Sequence, residues 1–166
     1  MYKNIEDFIA EWKEEAEGTL KIFGTVDNEA LLKKPHADVR TLGRSAWHIT
    51  QTLTEMPMAA GIRADDPLEG KEIPGSISAI SGIYKKYSEE LVDSLEKNWK
   101  GADLSEMIDM YGRKWSRSRT LSILLRHQIH HRAQMTVAMR LLGMKVPGFY
   151  GPAREEWAEY GMETQE

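Results

Sequence analysis

Residues 121–142, LSILLRHQIHHRAQMTVAMRLL, contain neither proline nor glycine. Their side chains repeat at three- and four-residue steps, which predicts one long helix with a single face directed at the core. The members of that face are Leu124, His127, His131, Gln134, Met135, Ala138 and Leu142. His127 and His131 therefore lie one turn apart, about 6 Å along the helix axis. At that spacing two imidazoles can bind one metal ion.

The histidine pair also has a purely structural interpretation. Buried histidines that hydrogen-bond to a polar neighbour are common in protein interiors. In addition, the zinc-protease form of the HxxxH motif has glutamate in the second position, where this chain has Gln128. The spacing of the pair by itself does not decide between a metal site and two buried structural histidines.

Three other stretches have the periodicity of amphipathic helices, namely residues 4–23, 41–56 and 76–99. Thr41 is expected to cap the second helix, and Pro57 is expected to end or kink it. With the histidine helix they make four long helices, and no strand pattern accompanies them. The sequence therefore predicts an all-α fold, a four-helix bundle.

The stretches outside these helices are expected to be mostly irregular. Residues 59–74 are rich in glycine, proline and aspartate and predict a long loop, and residues 101–112 predict an irregular connection. Near the end of the chain, Pro152 followed by Glu155 and Glu156 predicts the start of a short C-terminal helical segment. At 166 residues, the chain is expected to form a single domain over residues 1–166.

Composition narrows the classes of function. The net charge of −4 disfavours non-specific binding to nucleic acid, which depends on many lysine and arginine contacts to phosphate. No stretch approaches the roughly 20 apolar residues that cross a bilayer, and the N-terminus lacks the pattern of a signal peptide, so we expect a cytoplasmic protein without membrane contact. The chain has no cysteine, which excludes a cysteine nucleophile and cysteine-based zinc sites.

The remaining histidines differ in their expected roles. His48 lies in the middle of the second predicted helix, and four-helix bundles build metal sites from side chains of different helices. With His127 and His131 it would make a three-histidine site, which leaves a coordination position open as catalytic sites do. His36 follows Pro35 and is interpreted as a loop histidine. His130 lies about 100° around the helix from His131 and should point away from the site.

Two further groups were candidates for roles beside such a site. Gln51 and Glu55 share the side of the helix that carries His48, which suggests supporting or base roles. The cations Arg113, Lys114, Arg117 and Arg119 precede the histidine helix. They could form an anion site or simply a solvated or ion-paired surface.

The chain resembles the DinB-like (DinB/YfiT-like) family of metal-dependent four-helix bundles over most of its length. The resemblance rests on His48 after Trp47, on the HxxxHRxQ pattern of HQIHHRAQ at residues 127–134, and on the ending VPGFYGPAREEW. Ala133 stands where the family usually has glycine. The resemblance implies a bundle, often a homodimer, that holds nickel, zinc or a similar divalent ion with His48, His127 and His131.

The resemblance leaves the activity open between classes. Its characterised members include thiol-dependent S-transferases and isomerases that use bacillithiol or mycothiol, and metal-dependent hydrolases. We therefore expect a metalloenzyme that activates a small thiol or water for a small-molecule substrate, with a low-molecular-weight thiol as a candidate co-substrate. The alternatives are a non-catalytic metal- or ligand-binding stress protein and a helical bundle with a vestigial site.

Overall fold

The computed structural model describes residues 1–164 and is mainly helical. Four long helices dominate it: α1 (Ile5–Phe23), α2 (Leu42–Ala59), α3 (Ile77–Asn98) and α4 (Arg117–Leu141). Short 3-10 helices at Asn28–Ala30 and Arg154–Tyr160 complete the helical part. The predicted all-α four-helix bundle with a short C-terminal helical segment is confirmed. The last two residues of the predicted domain 1–166 lie outside the described residues.

Each long helix begins at a side chain that accepts a hydrogen bond from a backbone N–H in the first turn. The four capping residues are Asn4, Thr41, Ser76 and Ser116. Because the cap of α4 is Ser116, this helix begins at Arg117, four residues before the predicted start at 121. Thr41 caps α2 as the sequence predicted.

The helices pack in the order α1, α3, α2, α4 around the core, since α1 and α2 each contact both α3 and α4. The fully buried side chains at the centre include large aromatic and aliphatic groups, among them Trp12, Trp47, Phe8, Tyr84, Leu53 and Ile80. Consequently α2 and α4, which carry the histidines, are direct neighbours although α3 separates them in sequence. None of the described helices combines the length and apolarity that crossing a membrane requires.

The structure corrects two local predictions. The connection predicted as irregular at 101–112 contains β1 (Met107–Met110), which pairs antiparallel with β2 (Arg113–Ser116). Tyr111 and Gly112 form the turn with φ of 53° and 72°, the left-handed conformation of a tight hairpin. Of the two effects predicted for Pro57, ending or kinking α2, the first does not occur, since the helix continues past residue 56 to Ala59 with Pro57 buried in its final turns.

Candidate metal centre

One buried amide joins α2 to α4 beside the histidines. The Nε2 of Gln128 donates hydrogen bonds to the carbonyl of Ile49, at 3.0 Å, and to Oγ1 of Thr52, at 2.9 Å. Gln128 is completely buried, so these bonds form in the dry interior, where losing them is costly. Gln128 therefore has a structural role. An amide cannot act as the general base that glutamate provides at this position in zinc proteases.

His48, His127 and His131 converge at the junction of α2 and α4. The Nε2 of His131 lies 3.1 Å from Nε2 of His48 and 3.1 Å from Nε2 of His127. All three side chains are half-buried, at the boundary between the core and solvent. The histidines of α4 thus lie at the edge of the side that faces the core. The centre of that side carries Gln128, Arg132 and Met135.

The three nitrogens fit one divalent cation. Nitrogens that are each about 2.0–2.1 Å from one ion lie roughly 3–3.5 Å apart. The two pairs that include His131 have this spacing, and all three ligand atoms lie within 4.8 Å of one another. Hydrogen bonds among the rings cannot replace such an ion, because the single lone pair of His131 Nε2 can accept only one of the two neighbouring N–H groups. Three imidazoles suit zinc, nickel, copper or iron. The site can therefore bind a metal ion, and the three histidines remain its predicted ligands.

A hydrogen-bonded chain on the surface of α4 orients His131. Nδ1 of His131 donates to Oε1 of Gln134 at 2.8 Å, and Nε2 of Gln134 donates to Nε2 of His130 at 3.0 Å. The first bond places the proton of His131 on Nδ1 and leaves Nε2 free to bind a cation, the usual arrangement around a metal-binding histidine. His130 lies outside the group of three. Its ring centre is nevertheless 4.9 Å from that of His131, and Gln134 bonds to both rings, a link that the sequence did not predict.

The triad is electrically suited to a cation because its rings are neutral at physiological pH. Burial, reinforced by neighbouring imidazoles and by the positive charge of Arg40, lowers the pKa of His48 and of His127 to about 4. Burial also lowers the pKa of His131, although its hydrogen bond to Gln134 opposes this effect. Nδ1 of His127 is buried without a hydrogen-bond partner among the described residues. Protons therefore compete weakly for the nitrogens that face one another.

The two polar residues proposed to assist the site face other partners. Glu55 accepts a hydrogen bond from the hydroxyl of Tyr111, at the tip of the hairpin, over 3.0 Å. Gln51 accepts one from Arg44 at 3.4 Å. Seven residues separate Glu55 from His48, which corresponds to about 10 Å along the helix. Neither side chain hydrogen-bonds to a ring of the triad in the described chain.

The basic stretch in β2 and the first turn of α4 is largely engaged in local pairs. Lys114 lies 2.8 Å from Asp109, and Arg117 lies 2.7 Å from Glu106. The guanidinium of Arg119 lies 5.2 Å from the ring centre of Trp115. This geometry favours the interpretation as an ion-paired surface over an anion site. His36 is exposed in its loop and lies 3.7 Å from Asp38, as expected of a loop histidine.

Arg132, the residue after His131, holds the C-terminal segment against the bundle. This buried guanidinium donates to the carboxylate of Glu15, which is also buried, and to the hydroxyl of Tyr150 at 2.7 Å. The Tyr150 hydroxyl in turn donates to Glu15 at 2.6 Å. The arginine of the HxxxHRxQ pattern and the tyrosine of the VPGFYGPAREEW ending therefore meet in one network. Sequence reasoning missed this network, because its members are far apart along the chain.

Further contacts fix the same segment. Lys21 donates to the carbonyl of Gly148 at 2.8 Å, and the carboxylate of Glu156 accepts from the backbone of Gly148 and Ala153. The ring of Phe149 lies against α1 at Gly18, where a Cβ atom would come within 2.7 Å of it. Any larger residue at this place on α1 would require the ring to move. The segment thus closes one side of the bundle.

Comparison with known proteins finds a similar sequence and similar solved structures. The Bacillus subtilis protein YrdA is 35% identical over 164 residues, which cover 99% of this chain and 98% of YrdA. The crystal structure of a DinB-like protein from Bacillus cereus superposes with a TM-score of 0.82 at 35% identity, over 89% of this chain and 99% of that one. The Bacillus subtilis DinB-like protein YjoA shares the fold with a TM-score of 0.68 at 18% identity, over 86% and 96% of the two chains.

The family assignment agrees with the features already described. The model of the DinB family matches residues 1–166. The residues on which the resemblance was based are His48 on α2, the HxxxHRxQ pattern on α4 and the C-terminal segment that contains Tyr150. The chain belongs to the DinB family.

Proposed function

We propose that this chain is a metalloenzyme in which His48, His127 and His131 hold a divalent ion, nickel or zinc, to activate a small thiol or water. The observation that carries the proposal is the convergence of the three Nε2 atoms, with distances of 3.1 Å from His131 to each of the other two. Three protein ligands leave a position for a further ligand, the usual arrangement of catalytic zinc sites.

The residues around the site have distinct tasks in this proposal. A bound ion would lower the pKa of a water or thiol in the open position. Gln134 keeps the Nε2 of His131 unprotonated, and Gln128 keeps α2 and α4 in contact beside the rings. Because the chain contains no cysteine, any reacting thiol must come from a co-substrate. The resemblance includes thiol-dependent transferases and metal-dependent hydrolases, so both a thiol and water are tested.

The first experiment is a metal analysis of protein purified without a histidine tag. We expect about one nickel or zinc ion per chain in the wild type and none in the His127→Ala, His131→Ala double variant. Next, the metal-loaded protein is assayed for conjugation of a generic electrophile with glutathione, cysteine and bacillithiol in turn. Rates equal to those of the double variant with every thiol would exclude the transferase, and turnover of esters without thiol would indicate a hydrolase.

A non-catalytic metal- or ligand-binding protein is the second candidate. The observation in its favour is that Glu55, the carboxylate on the histidine side of α2, is bound to Tyr111 and not to a triad ring. Stoichiometric metal with no turnover of any thiol or ester combination would support this candidate. Sedimentation equilibrium of the same preparation tests the homodimer that the family resemblance implies.

A further inference from the structure

We propose that the cavity beside His131 binds an amphipathic carboxylate, with Arg40 binding the carboxylate and Val137 and Leu141 contacting its aliphatic chain. The cavity would then recognise the substrate of the neighbouring histidine centre. Only the identification of this ligand as a substrate rests on the proposed function. Binding of the ligand by the cavity does not.

The cavity shares a wall with the histidine centre. It has a volume of about 420 Å³ and lies between the segment before α2 and the second half of α4. His131 and Gln134 line it at one end, and Val137 and Leu141 line it further along α4. Its volume falls within the roughly 300–1,000 Å³ of small-molecule sites. A ligand in this cavity would therefore lie next to His131.

Arg40 supplies a free positive charge to the cavity. Its side chain is exposed immediately before the capping residue Thr41, and it makes no hydrogen bond or ion pair with any residue of 1–164. A guanidinium can bind a carboxylate through two parallel hydrogen bonds.

The other charged group in the cavity does not neutralise Arg40. Asp38 also lines it, but its carboxylate lies 3.7 Å from the ring of His36, and both side chains are largely exposed. The backbone N–H of Asp38 is bound to the same ring at 3.2 Å. Because Nδ1 of His36 accepts this N–H, it has no proton to donate to the carboxylate. Asp38 and Arg40 form no ion pair with each other within residues 1–164.

An apolar strip on α4 faces the remaining part of the cavity. Val137 and Leu141 lie one turn apart, and each has 60% of its surface exposed. They lie about 9 Å and 15 Å along the helix axis from His131. An aliphatic chain that spans the roughly 6 Å between them would cover both side chains and remove apolar surface from water. The anionic and apolar features together indicate an amphipathic carboxylate.

The test compares three small probes by NMR chemical-shift titration of the full chain, once metal-free and once zinc-loaded. The probes are hexanoate, 1-hexanol with the same chain but no charge, and acetate with the charge but no chain. We expect hexanoate to bind metal-free protein at least about tenfold more tightly than either of the others, because only hexanoate uses both features. Equal affinities for hexanoate and 1-hexanol would overturn the assignment of Arg40.

Two variants that each remove one positive charge provide the matched comparison. Arg40→Gln should bind hexanoate no better than 1-hexanol, whereas Arg126→Gln, an exposed arginine at a different cavity, should bind hexanoate like the wild type. A Val137→Ser, Leu141→Ser double variant should lose the preference for hexanoate over acetate. Equal weakening by Arg40→Gln and Arg126→Gln would show a general charge effect and overturn the proposal.

Three outcomes distinguish this proposal from a carboxylate bound to the ion, from a dimer interface and from the proposed metalloenzyme. Tight binding that requires zinc and persists in Arg40→Gln would place the carboxylate on the ion and overturn the role of Arg40. Conversion of a dimer into a monomer by the Val137→Ser, Leu141→Ser double variant would show that a second copy covers the strip, which also overturns it. Arg40-dependent binding of hexanoate by a protein that takes up no metal would support the cavity while the proposed metalloenzyme fails.

Discussion

Gln134 accepts a hydrogen bond from Nδ1 of His131 at 2.8 Å, which leaves Nε2 of that ring as the atom that faces His48 and His127. The same amide donates to His130 through its nitrogen, so its oxygen stays directed at His131. A surface glutamine thus determines which tautomer the ring of His131 presents to the other two histidines. The pattern HxxxHRxQ contains this geometry, since residue 134 is one turn beyond His131.

Gln134→Ala should weaken binding of zinc or nickel by about 10–100-fold, the usual effect of removing the hydrogen-bond partner of a metal-binding histidine. Competition with a chromophoric chelator measures the change. Gln51→Ala is the control, because Gln51 is a half-buried glutamine near the triad that hydrogen-bonds to Arg44 instead of a ring. Equal affinities of the Gln134 variant and the wild type would show that this hydrogen bond does not orient the ring.

Removal of metal should destabilise the wild type and leave His131→Ala unaffected. An ion that binds only the folded state raises its stability by about 2.7 kcal/mol at a hundredfold excess over the dissociation constant. Thermal melts with and without chelator measure the effect. His130→Ala keeps all three triad rings and should still respond to chelator. A similar shift of the melting temperature in wild type and His131→Ala would mean that the chelator acts elsewhere.

Arg132→Met should destabilise the fold by about 3–5 kcal/mol, because it leaves the carboxylate of Glu15 buried without its cation. Urea unfolding measures this loss. The Glu15→Leu, Arg132→Met double variant should recover much of the stability, since no buried charge then lacks a partner. An Arg132→Met variant as stable as the wild type would indicate that Glu15 reaches water when its partner is removed.

Gly18→Ala tests the contact with Phe149. Alanine in a helix is normally favoured over glycine by about 1 kcal/mol. In the wild type the new Cβ would collide with the Phe149 ring at 2.7 Å, so this gain should disappear or change sign. In a Phe149→Ala background the full gain should return. Equal gains in both backgrounds, measured by urea unfolding, would show that the ring moves aside at no cost.

The ion pair between Arg140 and Glu155 should weaken only in strong acid. The hydrogen bond from Arg140 is the main reason why the pKa of Glu155 falls to about 2. Since the folded-state pKa lies below the usual value, the contribution of this group to stability is present above about pH 4.5 and disappears as pH falls towards 2. NMR titration should give a higher Glu155 pKa in Arg140→Gln, and an unchanged value would rule out this cause.

The features that could be predicted are those with local signals. The four helices repeat apolar residues over many turns, and three predicted starts lie at or next to the observed caps Asn4, Thr41 and Ser76. The triad could be anticipated from the spacing of His127 and His131 together with the family pattern at His48. These signals can be read from the sequence because each lies within one helix or one short motif.

The features that were missed depend on distant partners or on very short elements. Strands of four residues are too short to show alternation, so the hairpin at 107–116 was predicted as an irregular connection. Burial of Arg132 depends on Glu15, 117 positions away, and on Tyr150, and an arginine is normally expected at the surface. The hydrogen bonds of Gln128 to α2 are missed for the same reason.

The hydrogen bonds of Gln128 also depend on how α4 is aligned along α2. A slide of one helix past the other by a single turn, about 5.4 Å, would carry this amide away from Ile49 and Thr52. A buried amide without partners costs about 1–3 kcal/mol, so such a slipped alignment is penalised. The same slide would separate His48 from the ring of His131. The side chain next to His127 therefore selects, among alternative alignments of two similar amphipathic helices, the one in which the imidazoles meet.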